Sequence, residues 1–491
     1  MIQRRRCQGR GRPHLKAAFG EDANVQFSSP VLPNHFVEER QTFFVTARQK
    51  TRILILGGGF AGLYAAIHLD KNLARDPNLE ITLINRDNFF LFTPMLHEVA
   101  ASDLDLTNIV NPVRQLLRRV SFFAGEVEAI DLEHKQVRVS HGFDHHHHDL
   151  SYDHLVIGVG SITNFFSLPG LAERALTMKS LGDAIHLRNR LIALLEEADT
   201  ECSAAIRGPL LTFVVAGGGF AGVETVAAIN DFVRHVIRLY GNLREEMLRL
   251  ILVHPGPVIL PELGEELGQY AQKQLARRNV EIRVTTRVSG LTEHGVKLST
   301  GEMIETKALI WTAGTSPNPV LLDLPCEKDH GRLKVNENLQ VPNWPGVWAV
   351  GDCALIPVGQ TGKYQPPTAQ HALREGKVLA HNLAASLQGS AMKPFSFSTI
   401  GQLASIGQRA GVARIFGVNF SGFSAWWLWR TIYLSKLPRF EKKLRVALDW
   451  TLDLVFGKDI VQFQTFRAPT VSMNDEMLDK RATNASSHPA R

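Results

Sequence analysis

Two doubly wound α/β domains of one design, one inserted in the other and followed by an amphipathic helical segment, are the architecture this sequence predicts. Three observations carry the prediction. The six residues GGGFAG occur twice, starting at Gly57 and at Gly217. Each copy follows an apolar run that reads as a buried strand (RILIL, TFVVA) and opens a run that reads as a helix (GLYAAIHL, GVETVAAI). The copies stand about 160 residues apart, a separation of whole domains and not of solenoid repeats. A chain of 491 residues, 44% hydrophobic and 21% charged, has room for two to four soluble domains and a large core.

The elements follow in order. Residues 1–47 form a basic extension without an apolar stretch, so they do not read as a secretory signal. TRILIL starts the first domain (48–175), and ITLINRD (81–87) supplies a second strand. FFAGEVEAIDLEHKQVRVS alternates apolar and polar residues and predicts an antiparallel excursion, with HGFDHHHHDL as its turn. The His145–His148 tract reads there as a solvated turn and no metal is assigned to it, the other reading being a metal site. SYDHLVIGVGS (151–161) returns to the first sheet. The second domain (176–300) begins with a helix over 181–199 and holds the second glycine turn, strand LRLILVHP, helix EELGQYAQKQLARRN and strand VEIRVTT. From KALIWTAGTSPNP the chain is expected to return to the first domain (301–390), through VPNWPGVWAVGDCA and the helix TAQHALREGKVLAHNLAASL. Residues 391–465 form the C-terminal region and 466–491 a tail.

The formal net charge of +6 is mild, and much of it is local. MIQRRRCQGRGRPHLK carries six Lys/Arg and no acid, and KLPRFEKKLR carries five Lys/Arg around one Glu. No nucleic-acid-binding signature accompanies them. The four cysteines, Cys7, Cys202, Cys326 and Cys353, form no CxxC pair, which argues against a disulfide framework, a zinc site and a redox dithiol. In FSGFSAWWLWRTIYLSKL, three Trp and a Tyr stand beside apolar residues and then meet Lys436. In FEKKLRVALDWTLDLVF, helical spacing puts Phe440, Leu444, Ala447, Leu448, Leu452 and Val455 on one stripe. No run reaches the roughly 20 apolar residues of a spanning helix. The pattern fits a helix lying in a lipid bilayer surface; the other reading is a helix packed on the core or on a dimer partner.

A strand, a GxGxxG turn and a helix together form a Rossmann-like dinucleotide site. Gly57 and Gly59, like Gly217 and Gly219, let the backbone approach a pyrophosphate, while Gly62 and Gly222 let helix and strand pack. Two such sites in one chain point to a flavoprotein that takes electrons from a nicotinamide. The first turn is assigned to FAD, with Asp352 of the GD turn on its ribityl chain. The second is assigned to NADH or NADPH, with Gly314 in its closing segment. The acid usual at the end of each second strand is missing: Asn85 stands there on the FAD side and His254 on the nicotinamide side.

These residues resemble the type II NADH dehydrogenases, the single-subunit NADH:quinone oxidoreductases that pump no protons. Besides the paired GGGFAG turns, the resemblance rests on NFFLFTPMLHEVA (88–100), GVE (222–224), PPTAQHALREG (366–376) and WWLWRTIYLSKLP…LDWTLDLVFGKDI, and it spans about Arg52 to Phe463. It implies non-covalent FAD, with Thr93 and Pro94 added to its site. It implies that Glu224 serves the nicotinamide site and proton delivery, although a carboxylate near a helix start is also favoured by the helix dipole. Ala369 and Gln370 match the pair at the quinone side of the flavin, and Glu375 an acid or amide position. Many members carry Gln where this chain has Arg374, and a second family glutamate is Ala228 here. Lys436 could face the quinone channel or reach lipid phosphate. The implied partners are a membrane quinone, the bilayer surface and a second copy of the chain as a homodimer, with no nucleic acid. The implied place is the cytoplasmic face of a bacterial inner membrane or, alternatively, the mitochondrial inner membrane. Sulfide:quinone and ferredoxin-type reductases, and a FAD-binding redox sensor without turnover, are the competing readings.

Overall fold

The computed structural model describes residues 50–453 and 455–463. The expected N-terminal extension (1–47) and C-terminal tail (466–491) lie outside the described residues.

Strand β1 (Thr51–Leu56) enters the first glycine turn and helix α1 (Phe60–Asn72) leaves it, followed by β2 (Leu79–Asn85) and β3 (Ser121–Ala124). Strand Glu126–Asp131, β4 (Gln136–His141) and β5 (His146–Ser151) form an antiparallel sheet, and β6 (His154–Ile157) rejoins the first sheet. Helix Leu181–Thr200 starts at a reciprocal Ser180–Asp183 capping box. It leads to β7 (Thr212–Ala216), α2 (Phe220–Val236), β8 (Arg249–Val253), β9 (Val280–Arg283) and β10 (Ala308–Trp311). After β11 (Val347–Ala349) and α3 (Ala369–Gln388) come β12 (Gly401–Ser405), β13 (Gly411–Ile415), β14 (Val418–Gly422), α4 (Phe423–Lys436) and α5 (Phe440–Leu452).

Two five-stranded parallel sheets result. The first has the order β11-β6-β1-β2-β3. The second has Leu176–Thr177, β10, β7, β8 and β9. Continuous apolar runs suit strands covered on both faces, and all five residues of β7 are buried. In each sheet the glycine turn lies at the C-terminal end of the central strand, with chain neighbours on opposite sides. That is the switch point at which open α/β sheets bind ligands. Helices α1 and α3 pack closely where Gly376 leaves no room for a Cβ beneath the Ala61 carbonyl.

Four sequence-based expectations need correction. Phe122 and Phe123 belong to parallel β3 and not to the antiparallel excursion, because β2 offers its free edge to them first. The histidine tract is not a turn: His146, His147 and His148 lie on β5, paired with β4. KALIW does not return to the first domain, since β10 pairs with β7 in the inserted sheet. The C-terminal region is not helical alone, as the antiparallel sheet β12–β14 precedes its helices.

The C-terminal helices are turned unusually. α5 buries Lys442, Val446 and Trp450, while Phe440, Leu444, Leu448 and Leu452 face outward, Phe440 with 80% of its surface exposed. Lys442 donates to the Thr107 carbonyl at 2.6 Å, so this charge of α5 rests on the protein, while Arg445 stays exposed. Among the described residues, no helix is long and apolar enough to cross a membrane.

Candidate active site between the two glycine turns

The two turns are built alike down to single hydrogen bonds. Gly57 N–H donates to the Ile84 carbonyl at 2.8 Å, and Gly217 N–H to the Val253 carbonyl at 2.9 Å. The next amide is held by the side chain that ends the second strand. Gly58 N–H donates to Asn85 Oδ1 at 2.7 Å, and Gly218 N–H donates to His254 Nδ1 at 3.1 Å. His254 must therefore be neutral at Nδ1, and burial holds its pKa below the usual value. Asn85 and His254 brace their turns where a carboxylate would otherwise face a ribose.

Gly57 and Gly217 have φ of +96° and +114°, a region open to glycine. A Cβ on Gly62 or Gly222 would run into the Gly57 or Gly217 carbonyl, whereas one on Gly59 or Gly219 would meet nothing. Gly59 and Gly219 are the N-caps of α1 and α2, without a side-chain cap or an acid in the first turn. By contrast, Ser180 and Thr368 cap Leu181–Thr200 and α3. The leading N–H groups of α1 and α2 thus face open space with the positive end of a helix dipole behind them. Both cradles fit a dinucleotide pyrophosphate.

Asp352 follows β11 in the turn Gly351–Cys353, and its Oδ2 accepts from Ser161 Oγ at 2.7 Å. Lys179 Nζ donates to the same Ser161 Oγ at 2.8 Å. Glu375 Oε2 accepts from Gly351 N–H at 2.7 Å. Burial pushes the Glu375 carboxyl up to about 7, with the Gly351 amide opposing the shift. Glu375, expected among the catalytic residues, does not line the cavity described next; its contact is with the turn that carries Asp352.

A cavity of about 460 Å³ opens between the domains. Thr93 and Pro94 reach it from the first domain, Glu224 and Gly314 from the second, Ala369 and Gln370 from the start of α3, and Tyr433 from α4. The structure thus brings six of the predicted residues to one space. Gly57, Gly59, Gly62 and Asn85, with Gly217, Gly219, Gly222 and His254, sit at the two glycine turns and do not line it; Asp352 does not line it either, but stands behind its Lys179, at 3.9 Å. Gln370 Nε2 donates to the Gly401 carbonyl at 2.6 Å, tying α3 to the C-terminal sheet. Arg374 lies over the Phe397 ring at 3.9 Å, turned to stacking.

Glu224 is the most constrained acid of the site. It lies beyond the first turn of α2, and its Oε1 accepts from Trp429 Nε1 at 2.9 Å and from Ser405 N–H at 3.1 Å. Those partners come from the C-terminal region, so the helix dipole does not account for its position. Burial pushes the carboxyl up to about 8, opposed by the two donors and reinforced by nearby Glu98. Burial also lifts the neighbouring Tyr433 hydroxyl, with the Glu224 charge adding to the shift.

A second cavity, of about 330 Å³, shares His97 and Glu224 with the first. Its wall includes Ala228, Glu98, Asp103, Arg430, Asp453 and Lys458. Glu98 Oε2 accepts from Trp450 Nε1 at 3.2 Å, and burial raises its carboxyl to about 8 against the pull of Arg430. His97 is buried and driven down to about 3, so it is neutral. Asp103 and Lys458 form an ion pair beside them. Sequence reasoning assigned no role to His97, Glu98 or the Trp429–Trp450 pair. The available signal was an acid inside the apolar stretch MLHEVA.

Comparison with known proteins adds findings of three kinds. Residues 51–376 match the family model for pyridine nucleotide-disulphide oxidoreductases, and residues 400–459 match the NDH2 C-terminal domain. The chain is 33% identical over 420 residues to a type II NADH:quinone oxidoreductase, Ndh, of Mycobacterium tuberculosis, covering 82% of this chain and 88% of that one. It is 32% identical over 423 residues to a probable NADH dehydrogenase of Dictyostelium discoideum, covering 84% and 92%. Among solved structures it is similar in fold to NDH2 of Plasmodium falciparum in complex with NADH, with a TM-score of 0.78 at 20% identity, over 84% of this chain and 100% of that one.

Proposed function

This chain belongs to the type II NADH:quinone oxidoreductase family, and on that premise we propose that its central cavity passes two electrons from NADH through FAD to a membrane quinone, without proton pumping. The observation that carries this reading is the shared cavity: both dinucleotide domains and the C-terminal region supply walls to one space. Gly57, Gly59, Gly62, Asn85 and Asp352 would hold FAD without a covalent bond, with Thr93, Pro94 and Ala369 against it. Bound there, FAD supplies the redox chemistry, accepting a hydride equivalent and returning two electrons. Gly217, Gly219, Gly222, His254 and Gly314 would hold the nicotinamide nucleotide. No carboxylate ends β8, which removes one source of repulsion toward the 2′-phosphate of NADPH, although Glu262 lies close enough to act on His254. Gln370 would orient the quinone. A sulfide:quinone reading needs reactive cysteines at the flavin, but burial leaves the Cys353 thiol protonated, with its pKa up to about 12.

Reducing a quinone with NADH consumes one proton from solution per turnover. Glu224 would supply it, because its carboxyl is protonated at neutral pH and faces both cavities. Glu98, on the wall that also holds Ala228, would reload it from the second cavity. Steady-state NADH oxidation with a short-chain ubiquinone or menadione tests the assignment. The expected turnover lies in the enzyme range of roughly 1–10³ s⁻¹. A flavin-loaded protein far below that range would instead be a redox sensor.

The outward stripe of α5 supports a membrane-surface location, because the acceptor is lipid-soluble and Lys436 stands exposed at the end of α4. The location would be peripheral, on the cytoplasmic face of a bacterial inner membrane or on the mitochondrial inner membrane. Leu444→Glu with Leu448→Glu removes about 4 kcal/mol of apolar transfer, so partitioning onto anionic lipid vesicles should fall roughly 10²–10³-fold. Soluble turnover with menadione should persist. A double variant that sediments with vesicles like the parent contradicts the surface reading. Loss of a homodimer instead would assign the stripe to a second copy.

A further inference from the structure

The histidine tract is sorted by its strand pairing. On β5, His146 and His148 are two residues apart and share one face; on β4, His141 stands directly opposite His146 and points the same way. His147 faces the other side, where its Nδ1 lies 2.9 Å from Glu128. His145 sits in the turn, with φ of +48°. Three of the chain's imidazoles therefore converge, and two do not.

The convergence is close. One ring nitrogen from each of His141, His146 and His148 can be chosen so that all lie within 4.8 Å of one another. His141 Nε2 and His148 Nε2 are 2.7 Å apart, and those two rings stack at a centroid distance of 4.7 Å. Phe123 presses on both rings, at 5.5 and 5.7 Å, and forms an apolar floor beneath them. Two histidines spaced i, i+2 on one strand and a third opposite on its neighbour present three nitrogens to one point. A tetrahedral metal with nitrogens at 2.0–2.1 Å needs them about 3.3 Å apart, within reach of small ring rotations.

We propose that His141, His146 and His148 form a three-imidazole site for one divalent late first-row cation, represented by Zn²⁺, with the fourth position left to water. The donor set decides the class. Neutral imidazoles suit Zn²⁺, Cu²⁺ and Ni²⁺, whereas Ca²⁺ and Mg²⁺ need oxygen ligands that these residues do not provide. The site joins two strands of the antiparallel sheet and lies outside the electron-transfer cavity. Its role is to clip β4 to β5 at the end of their pairing, and turnover does not require it.

The test uses full-length, flavin-loaded protein without an affinity tag, titrated with Zn²⁺ by calorimetry and with Co²⁺ by visible spectroscopy. One equivalent should bind at micromolar affinity or tighter, with tetrahedral Co²⁺ bands and a higher melting temperature. His146→Ala and His148→Ala should each weaken binding at least about tenfold, since each removes one of three ligands, while His145→Ala and His147→Ala should not. Turnover with NADH should be the same in all of them. Wild-type protein with no stoichiometric Zn²⁺ and no melting shift overturns the proposal, whatever the variants' folding. So does equal weakening by His145→Ala.

Discussion

Gly57→Ala is expected to purify with less than about a tenth of the wild-type flavin, whereas Gly217→Ala should stay yellow and bind NADH at least about tenfold more weakly. The two glycines share a positive φ, +96° and +114°. At Gly57 a Cβ would strike the Gly158 carbonyl, and at Gly217 it would meet Thr312 Oγ1 at 2.7 Å. Each substitution therefore costs about 2–4 kcal/mol locally, from backbone strain and overpacking together. The cost falls on whichever nucleotide that turn cradles, so the pair separates the two assignments. Flavin content and NADH titration read them independently, and circular dichroism melts identify any variant that merely fails to fold. Loss of flavin from Gly217→Ala with retention in Gly57→Ala would reverse the assignments.

Glu224→Gln should slow quinone reduction about 10²-fold at pH 7, the usual worth of a positioned proton donor, and leave flavin reduction by NADH nearly unchanged. The amide oxygen keeps the acceptor role toward Trp429 Nε1 and Ser405 N–H, so the packing survives. The pH dependence has a definite sign. Burial raises the native carboxyl to about 8, so it carries its proton at neutral pH and loses it above about 8. In the parent, quinone reduction should fall as pH rises through that value; in Glu224→Gln that limb should vanish. Stability follows the same sign. The unfolded carboxyl releases its proton near 4.5, so the stabilisation is complete below that pH and is lost as pH rises to about 8. Glu98→Gln should slow the same half-reaction less if Glu98 only reloads Glu224.

What could be read from sequence and what could not divide along a physical line. The glycine turns, the strands feeding them and the helices leaving them depend on local backbone sterics and apolar runs, and GGGFAG written twice displays both. β3, the His146–Ser151 strand and β10 were misplaced because alternation and composition describe a strand without saying which edge accepts it. Gly407 and Gly417 mark the two turns of the β12–β14 sheet, but nothing in its five-residue strands announces that α4 packs on them. Glu224 was singled out by its motif, but its raised pKa depends on Trp429, some 205 residues away. Glu98 acquires its environment from Trp450 and Arg430, and Glu375 its hydrogen-bond partner from Gly351. The α5 stripe was read correctly as one face, yet its outward direction comes from Lys442, Val446 and Trp450 docking on the other side.

The central claim is that one cavity couples a flavin reducible by NADH to a quinone. Anaerobic double mixing of the purified holoprotein tests it most directly, with flavin absorbance followed through both steps. The account predicts that NADH bleaches the flavin and that a ubiquinone or menaquinone analogue then restores it, both at least as fast as steady-state turnover. A flavin that NADH bleaches but quinone does not restore, or that NADH never bleaches, would contradict it.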